Sequence, residues 1–383
     1  MNDIKIERLT AADYDEWLAV IDRVFTIQNR RYMDFEVELP KMCVRDDEHM
    51  GKHFAVKKNG KIVSSLGVYP LPMKVAGEDI LFSTMGNVVT VPEEEGHGYM
   101  TQLLEVAMTE LATIGADASR LCGDRMRYNR YGYEYAGFLY NFEVLKSHLK
   151  RKFTGFKSDI SFVRVDESDT ALISEMKKIY EMENAAVVRK NNYDFLKTLC
   201  AWKNKPYAAV KNDGSVIGYI SVSEKKDSIA EISAISPEAF RELLVYWIIT
   251  KGEKVVSIGV MPHKVEQIHI LSELCQECNI TNPSMFKIMN WEKVVNAFFK
   301  LKAQYTCVPD GELVIGIENY GNLLLSAENN NVSCVKTEQN PDISLSGLEA
   351  TRLIFGTYPE QSVADFSHPF LPLPLSWNSQ DRV

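Results

Sequence analysis

The stretch Met85–Leu111, MGNVVTVPEEEGHGYMTQLLEVAMTEL, constrains this chain more than any other. An apolar run from Asn87 to Val91 stops at Pro92, and a turn-rich loop holding Gly96 and Gly98 follows. Met100, Leu103, Leu104, Ala107, Met108 and Leu111 then share one helical face. Strand, glycine loop and helix N-terminus in that order make an anion cradle. The first N–H groups of a helix have no internal partner, and the helix dipole adds partial positive charge there. Glycine lets the backbone approach a phosphate with no Cβ between them. Neither G-x-x-x-x-G-K-[ST] nor G-x-G-x-x-G is present, which excludes a P-loop and a dinucleotide-binding turn.

A chain of 383 residues is too long for one hydrophobic core, and two or three domains are expected. The net charge of −9 argues against nucleic acid as the principal partner and suits a cationic substrate. The amino terminus, MNDIKIERLT, has no basic-then-apolar signal, and no apolar run reaches the roughly 18 residues that span a bilayer. A cytoplasmic protein with no membrane span is expected. Of seven cysteines only Cys275 and Cys278 are close, without a second pair, so thiols and no metal are expected.

Along the chain, Ile4–Arg8 alternates like a strand, Thr10–Asp13 reads as a helix cap, and Trp17, Ile21 and Phe25 mark an amphipathic helix. A second helical stretch is predicted over Phe35–Cys43. Asp34, Glu36 and Glu38 are either lining for an acidic acceptor pocket or a solvated helix face. Asn59-Gly60 between Phe54–Val56 and Ile62–Val68 is a hairpin signal. A further strand pair, Met73–Val75 and Ile80–Ser83, turns at Gly77. The helix after the glycine loop ends near Gly115, and Ser119–Cys122 follows as a strand.

Residues 161–290 replay this order: a strand at Phe162–Val165, a helix through Ile173, Met176 and Ile179, a hairpin at Asn212-Asp213-Gly214, a strand at Ala230–Ile235 and a helix at Glu238–Ile249. Leu103 follows Pro92 by eleven residues in the first copy, whereas Leu243 follows Pro237 by six in the second. The second copy has lost the loop and both glycines. It is expected to bind no coenzyme and to wall in the acceptor pocket. From Phe286 onward come a helix through Val294, Phe298 and Phe299, three strands, and a helix ending Leu353-Ile354-Phe355-Gly356. The tail Phe370–Trp377 carries prolines that forbid a helix and reads as an extended, packed arm.

The glycine loop resembles the pyrophosphate loop of the GCN5-related N-acetyltransferases, Q/R-x-x-G-x-G/A. The pattern falls on Glu95-Gly96-His97-Gly98-Tyr99-Met100, with Glu95 in place of Gln or Arg and Met100 in place of Gly or Ala. About 30 residues on, Tyr128, Gly132 and Tyr133 match that family's Y-x-x-x-G-F with Tyr for Phe. The last segment is similar to sterol-carrier-like domains. The whole arrangement resembles the Eis (enhanced intracellular survival) family.

That resemblance implies an α+β chain of three units. Residues 1–149 would be an acetyl-coenzyme A-binding domain, 150–285 a degenerate second copy, and 286–383 a sterol-carrier-like domain with a C-terminal arm. It implies a homo-oligomer, commonly a hexamer, that moves an acetyl group from acetyl-coenzyme A to a primary amine. The acceptor would be a cationic small molecule of aminoglycoside, polyamine or lysine type. Tyr128 would be the general acid and the carboxylate of Val383 the general base. Val88 and Thr90 would pair with the pantetheine amides, and an N–H of Val89 or Thr90 would stabilise the thioester oxygen. The pyrophosphate would rest on the loop Glu95, Gly96, His97, Gly98, Tyr99, Met100 and Thr101. Tyr131 and Tyr133 are read as packing residues. Glu93, Glu94 and Glu95 would weaken coenzyme binding without abolishing it. The alternative is a non-catalytic binding protein whose acids disable the loop and whose last unit holds an apolar ligand.

Overall fold

The computed structural model describes residues 3–282, 284–357 and 366–382. From the amino terminus, β1 (Ile4–Arg8) leads into α1 (Tyr14–Asn29), the short turns α2 (Phe35–Glu38) and α3 (Asp47–Met50), and the strands β2 (His53–Lys58), β3 (Lys61–Val75) and β4 (Glu78–Thr90). Then come α4 (Tyr99–Thr113), β5 (Ala118–Leu121), α5 (Arg125–Tyr128), β6 (Glu134–Ala136), β7 (Leu139–Leu145) and α6 (Lys146–Lys152). The middle of the chain forms β8 (Ser161–Arg164), α7 (Thr170–Tyr180), β9 (Ala185–Val187), α8 (Asn192–Leu199), β10 (Lys205–Val210), β11 (Val216–Val222), β12 (Ser228–Ala234), α9 (Pro237–Thr250), β13 (Val255–Val260), α10 (Val265–Ser272) and β14 (Glu277–Thr281). The last part holds β15 (Ser284–Ile288), α11 (Trp291–Tyr305), β16 (Gly311–Ile317), β17 (Gly321–Glu328), β18 (Asn331–Thr337), β19 (Ile343–Leu345) and α12 (Gly347–Phe355).

Three sheets result. The first has the order β1-β2-β3-β4-β5-β15-β6, with β9 added to β3; the second runs β8-β10-β11-β12-β13-β7-β14; the third runs β18-β17-β16-β19. The first two share one order, and in both the strand before the loop-side helix lies parallel to the strand after it: β4 with β5, and β12 with β13.

The strands that close these sheets are exchanged. β15, which follows the whole second unit, is inserted between β5 and β6; β7, which follows β6 by two residues, lies between β13 and β14. The expected cuts at 149/150 and 285/286 therefore do not follow the sheets. Each sheet is completed by a strand from the other side of a cut, because strand pairing is a long-range choice that local sequence does not encode.

Two other expectations change. The helix expected over Phe35–Cys43 ends at Glu38. Pro40 disfavours the helical region for Leu39, which sits at φ −133° and ψ 63°. Met73–Val75 is no separate strand, since β3 runs unbroken through Pro70 and Pro72. On the side away from β4, β2 pairs with β3 only as far as Gly67 and β9 only from Met73. The two prolines sit on the unpaired edge between them, where a missing donor is tolerated.

The C-terminal arm joins the units. Phe370, Leu371, Leu373, Leu375 and Trp377 are buried in a core shared by the first sheet, α11, α12 and the third sheet. The Trp377 ring lies 4.8 Å from Phe82 on β4 and 5.3 Å from Phe286 on β15.

Candidate functional site

β4 runs to Thr90, but its pairing with β5 stops at the rung Thr84–Arg120. Beyond that rung the strands part, and one edge of β4 is released. A bulge lies within the released segment: the register with β3 shifts between Ser65 and Gly67, and Asn87 adopts φ +52°. The buried Asn87 amide donates to the Tyr69 hydroxyl at 3.0 Å, and that hydroxyl is 2.8 Å from His53 Nε2. This buried chain holds the bulge in a conformation that non-glycine residues seldom take.

The bulge decides which amides face the opening. Val91 N–H donates to Val63 on β3, so by strand alternation Val89 also turns toward β3 while Val88 and Thr90 present N–H and C=O to the released edge. The Val89 N–H is thus turned away from the released edge, whereas that of Thr90 faces it. The Ser64 hydroxyl supports this end of the strand, donating to the Val89 carbonyl at 2.7 Å and lying 2.9 Å from Thr90 Oγ1.

The loop then turns through Pro92–Glu94 and enters α4 at Gly98. Gly96 and Gly98 have φ of +82° and +77°, and no atom lies within 4 Å of where a Cβ would stand at either. Backbone handedness, not crowding, requires glycine at both. Because its N-cap is Gly98, α4 has no capping side chain for its first-turn amides. In α9 the equivalent end is closed, since Ser236 accepts from Ala239 N–H and Pro237 lacks a donor.

Two of the three acids are paired with cations, and the Glu94 carboxylate also lies 3.9 Å from the His97 ring in the loop. Glu93 pairs with Arg23 on α1, and Glu94 accepts from Lys58 on β2 at 2.7 and 2.9 Å. Glu95 is exposed, as is His97, whose ring stacks on buried Tyr99 at 5.6 Å. Met100 and Thr101 follow in the first turn of α4.

Tyr128 ends α5, a single turn that Asp124 caps by accepting from Met126 N–H at 3.0 Å. Its buried ring lies on Gly123, where an added Cβ would come to 2.9 Å of the ring and where φ is +138°. Burial raises the Tyr128 phenol above its ordinary pKa, with Arg127 pulling in the opposite direction through charge and a hydrogen bond. Arg127 Nη1 also stands 3.9 Å from Met100 Sδ, which places a cation beside the first turn of α4. Sequence reasoning missed Arg127; its signal was the basic run Arg125-x-Arg127-x-x-Arg130 next to Tyr128. Tyr133 is fully buried and donates to Ser119 Oγ at 2.7 Å, and Tyr131 lies under the Arg130 guanidinium, so both pack.

A groove of about 520 Å³ lies along β3 and touches the fork only at Thr84; it is bordered by Lys41, Tyr69, Thr84, Arg189 and Asp381 among others. Asp34, Glu36 and Glu38 do not border it. Asp34 caps α2, Glu36 accepts from Tyr14 Oη at 2.6 Å, and buried Glu38 pairs with Arg31 at 2.9 Å and Lys203 at 3.1 Å. The arm reaches Arg382, whose charge is felt by Cys122 and Arg120 at the end of β5. Val383, the expected base, lies outside the described residues. The seven cysteines form no disulfide, and no cluster of His, Cys, Asp or Glu among the described residues could hold a metal. No helix among them is long and apolar enough to cross a membrane.

Residues 5–136 match the family model of the acetyltransferase (GNAT) domain. No curated protein matches the chain by sequence. Solved structures share its fold at low identity. A GCN5-related N-acetyltransferase from Anabaena variabilis is 14% identical with a TM-score of 0.68, covering 98% of each chain. Another from Kribbella flavida is 16% identical with a TM-score of 0.64, covering 92% of this chain and 88% of that one. Eis1 from Mycobacterium abscessus is 17% identical with a TM-score of 0.62, covering 93% and 90%.

Proposed function

We propose that this chain is an N-acetyltransferase that moves an acetyl group from acetyl-coenzyme A to a primary amine of a cationic small molecule, of aminoglycoside, polyamine or lysine type. The observation that carries the reading is the contrast between two similar sheets. In the first, a released strand edge, a loop with two left-handed glycines and an uncapped 15-residue helix follow one another; in the second, the corresponding helix is capped by its own serine. The GNAT family match covers the first sheet's segment up to β6.

In this reading the amides at Gly96–Thr101 hold the diphosphate, and Arg127 adds a cation beside them. Val88 and Thr90 pair with the pantetheine arm, and Thr90 N–H donates to the thioester oxygen as the amine attacks. The new C–N bond forms as the C–S bond breaks. Tyr128, kept protonated by burial, gives its proton to the leaving sulfur. We assign no base. The second unit and the sterol-carrier-like third unit serve as scaffold, and the assembly is a cytoplasmic homo-oligomer, a hexamer by family likeness.

Thiol release measured with acetyl-coenzyme A against aminoglycosides, polyamines and basic peptides tests the proposal. Release that depends on one of these amines supports it. No release with any amine, together with no binding of acetyl-coenzyme A at millimolar concentration, favours the non-catalytic alternative.

A further inference from the structure

The second sheet parts as the first does. β12 and β13 are paired only at Ser228–Ser257 and Ile229–Ile258, although β12 continues to Ala234. In the first sheet the corresponding opening is where the acyl donor is proposed to lie. In the second it is a cavity of about 440 Å³ between β12 and β13, and the chain's own Asn378, Ser379, Gln380 and Arg382 form part of its wall. Ser379 Oγ donates to the Ala230 carbonyl at 3.3 Å. Gln380 donates from Nε2 to Leu199 O at 3.0 Å and accepts from Asn204 at 3.1 Å. Lys41 Nζ, from the first unit, donates to the Gln380 carbonyl at 2.5 Å.

Asp381 is the firmest point. It accepts from Arg189 Nε at 3.1 Å and Nη2 at 3.0 Å, while Arg189 also donates to Glu231 on β12 at 2.8 and 2.7 Å. Tyr219 Oη donates to the same Glu231 at 2.6 Å. Arg189, Glu231 and Asp381 are all at most 5% exposed. They make a buried ionic cluster drawn from the second unit and the arm, and Lys41 of the first unit is bonded to the backbone beside it. A buried ionic cluster adds little net stability over apolar packing, but it fixes one geometry, and breaking one partner is costly. Asp381 and Arg189 also border the 520 Å³ groove along β3, which reaches the β4–β5 fork at Thr84.

We propose that the second unit is a receptor for the chain's own arm. Residues 379–381 seat against the wall of its strand opening, bonded to β12, α8 and Arg189, and Arg189 is a positioning residue that seats Asp381 as one wall of the acceptor groove. The seating stands by itself, whereas the role in acceptor binding rests on the acyl-transfer reading.

The test uses the full chain with Asp381→Asn, which keeps the shape and removes the charge. Hydrogen exchange at residues 378–382 reads the seating, and steady-state kinetics varied separately in amine and acetyl-coenzyme A read the role. The expected result is faster exchange in the arm, a loss of about 10- to 100-fold in kcat/KM for the amine, and an unchanged KM for acetyl-coenzyme A. Arg189→Lys should fall between wild type and Asp381→Asn. Should Asp381→Asn fail to fold, Gln380→Ala carries the same expectations. Unchanged exchange overturns the seating. Faster exchange with unchanged amine kinetics overturns the positioning role, as does a wild-type chain that binds no acetyl-coenzyme A.

Discussion

Replacing Tyr128 and Tyr133 singly by phenylalanine should produce opposite effects, although the residues lie five apart. The Tyr133 hydroxyl is fully buried and bonded to Ser119 Oγ, itself buried, at 2.7 Å. Removing it strands the serine hydroxyl, at about 1–3 kcal/mol of stability. It touches nothing at the fork, so turnover should hold. The Tyr128 phenol is bonded instead to Arg127, an exposed side chain that can turn to water, so its loss should cost about 0.5–1.5 kcal/mol of stability. In the proposed role of proton donor to the leaving sulfur, however, the Tyr128 phenol should be worth about 10²- to 10⁴-fold in turnover, or roughly 3–5 kcal/mol of barrier. Acetyl-coenzyme A affinity should be unchanged in both variants. Urea unfolding gives the stabilities and thiol release under saturating acetyl-coenzyme A gives turnover. Wild-type turnover in Tyr128→Phe, or an equal loss in Tyr133→Phe, would refute the assignment of roles.

Other consequences follow from the same geometry. Arg127→Ala should weaken acetyl-coenzyme A several-fold and flatten the salt dependence of its binding, measured by calorimetry at two ionic strengths, because an exposed cation beside α4 is screened. His53 is held neutral, its pKa lowered by burial from 6.5 to about 4, so the unfolded chain takes up a proton that the fold refuses. Its contribution to stability is complete above pH 6.5 and falls away toward pH 4, on the order of 3 kcal/mol in all; His53→Gln should flatten that limb of a urea-stability profile. A fragment 1–149 leaves β5 and β6 with no strand between them, so it should show no cooperative unfolding by circular dichroism, whereas the full chain should.

Features set by local backbone rules were legible in the sequence. Asn59-Gly60 gave the β2–β3 turn, with φ of +52° and +77°, and Gly96 and Gly98 marked the loop before α4, where both lie in the left-handed region. The uncapped start of α4 and the capped start of α9 could be read from Gly98 against Ser236-Pro237, because caps depend on neighbours in sequence. Pro40 is the local signal that the helix after Phe35 is short. The continuity of β3 through Pro70 and Pro72 had no such signal, because a proline is tolerated on whichever edge goes unpaired, and pairing is tertiary. The exchange of β7 and β15 was illegible for the same reason, as either strand suits either sheet. Arg189 and Asp381 lie 192 residues apart, and nothing near either one announces the other.

The central claim is that main-chain amides at Gly96–Thr101 grip a diphosphate, and one comparison tests it most directly. Thermal unfolding of the full chain can be followed while titrating acetyl-coenzyme A in one series and S-acetylpantetheine, which carries the same thioester but no diphosphate, in another. A ligand bound only by the native state stabilises it by about 2.7 kcal/mol at a hundred times its Kd. A saturable rise in midpoint with acetyl-coenzyme A and almost none with S-acetylpantetheine is the predicted result. Equal shifts from both ligands, or none from either at millimolar concentration, would contradict it.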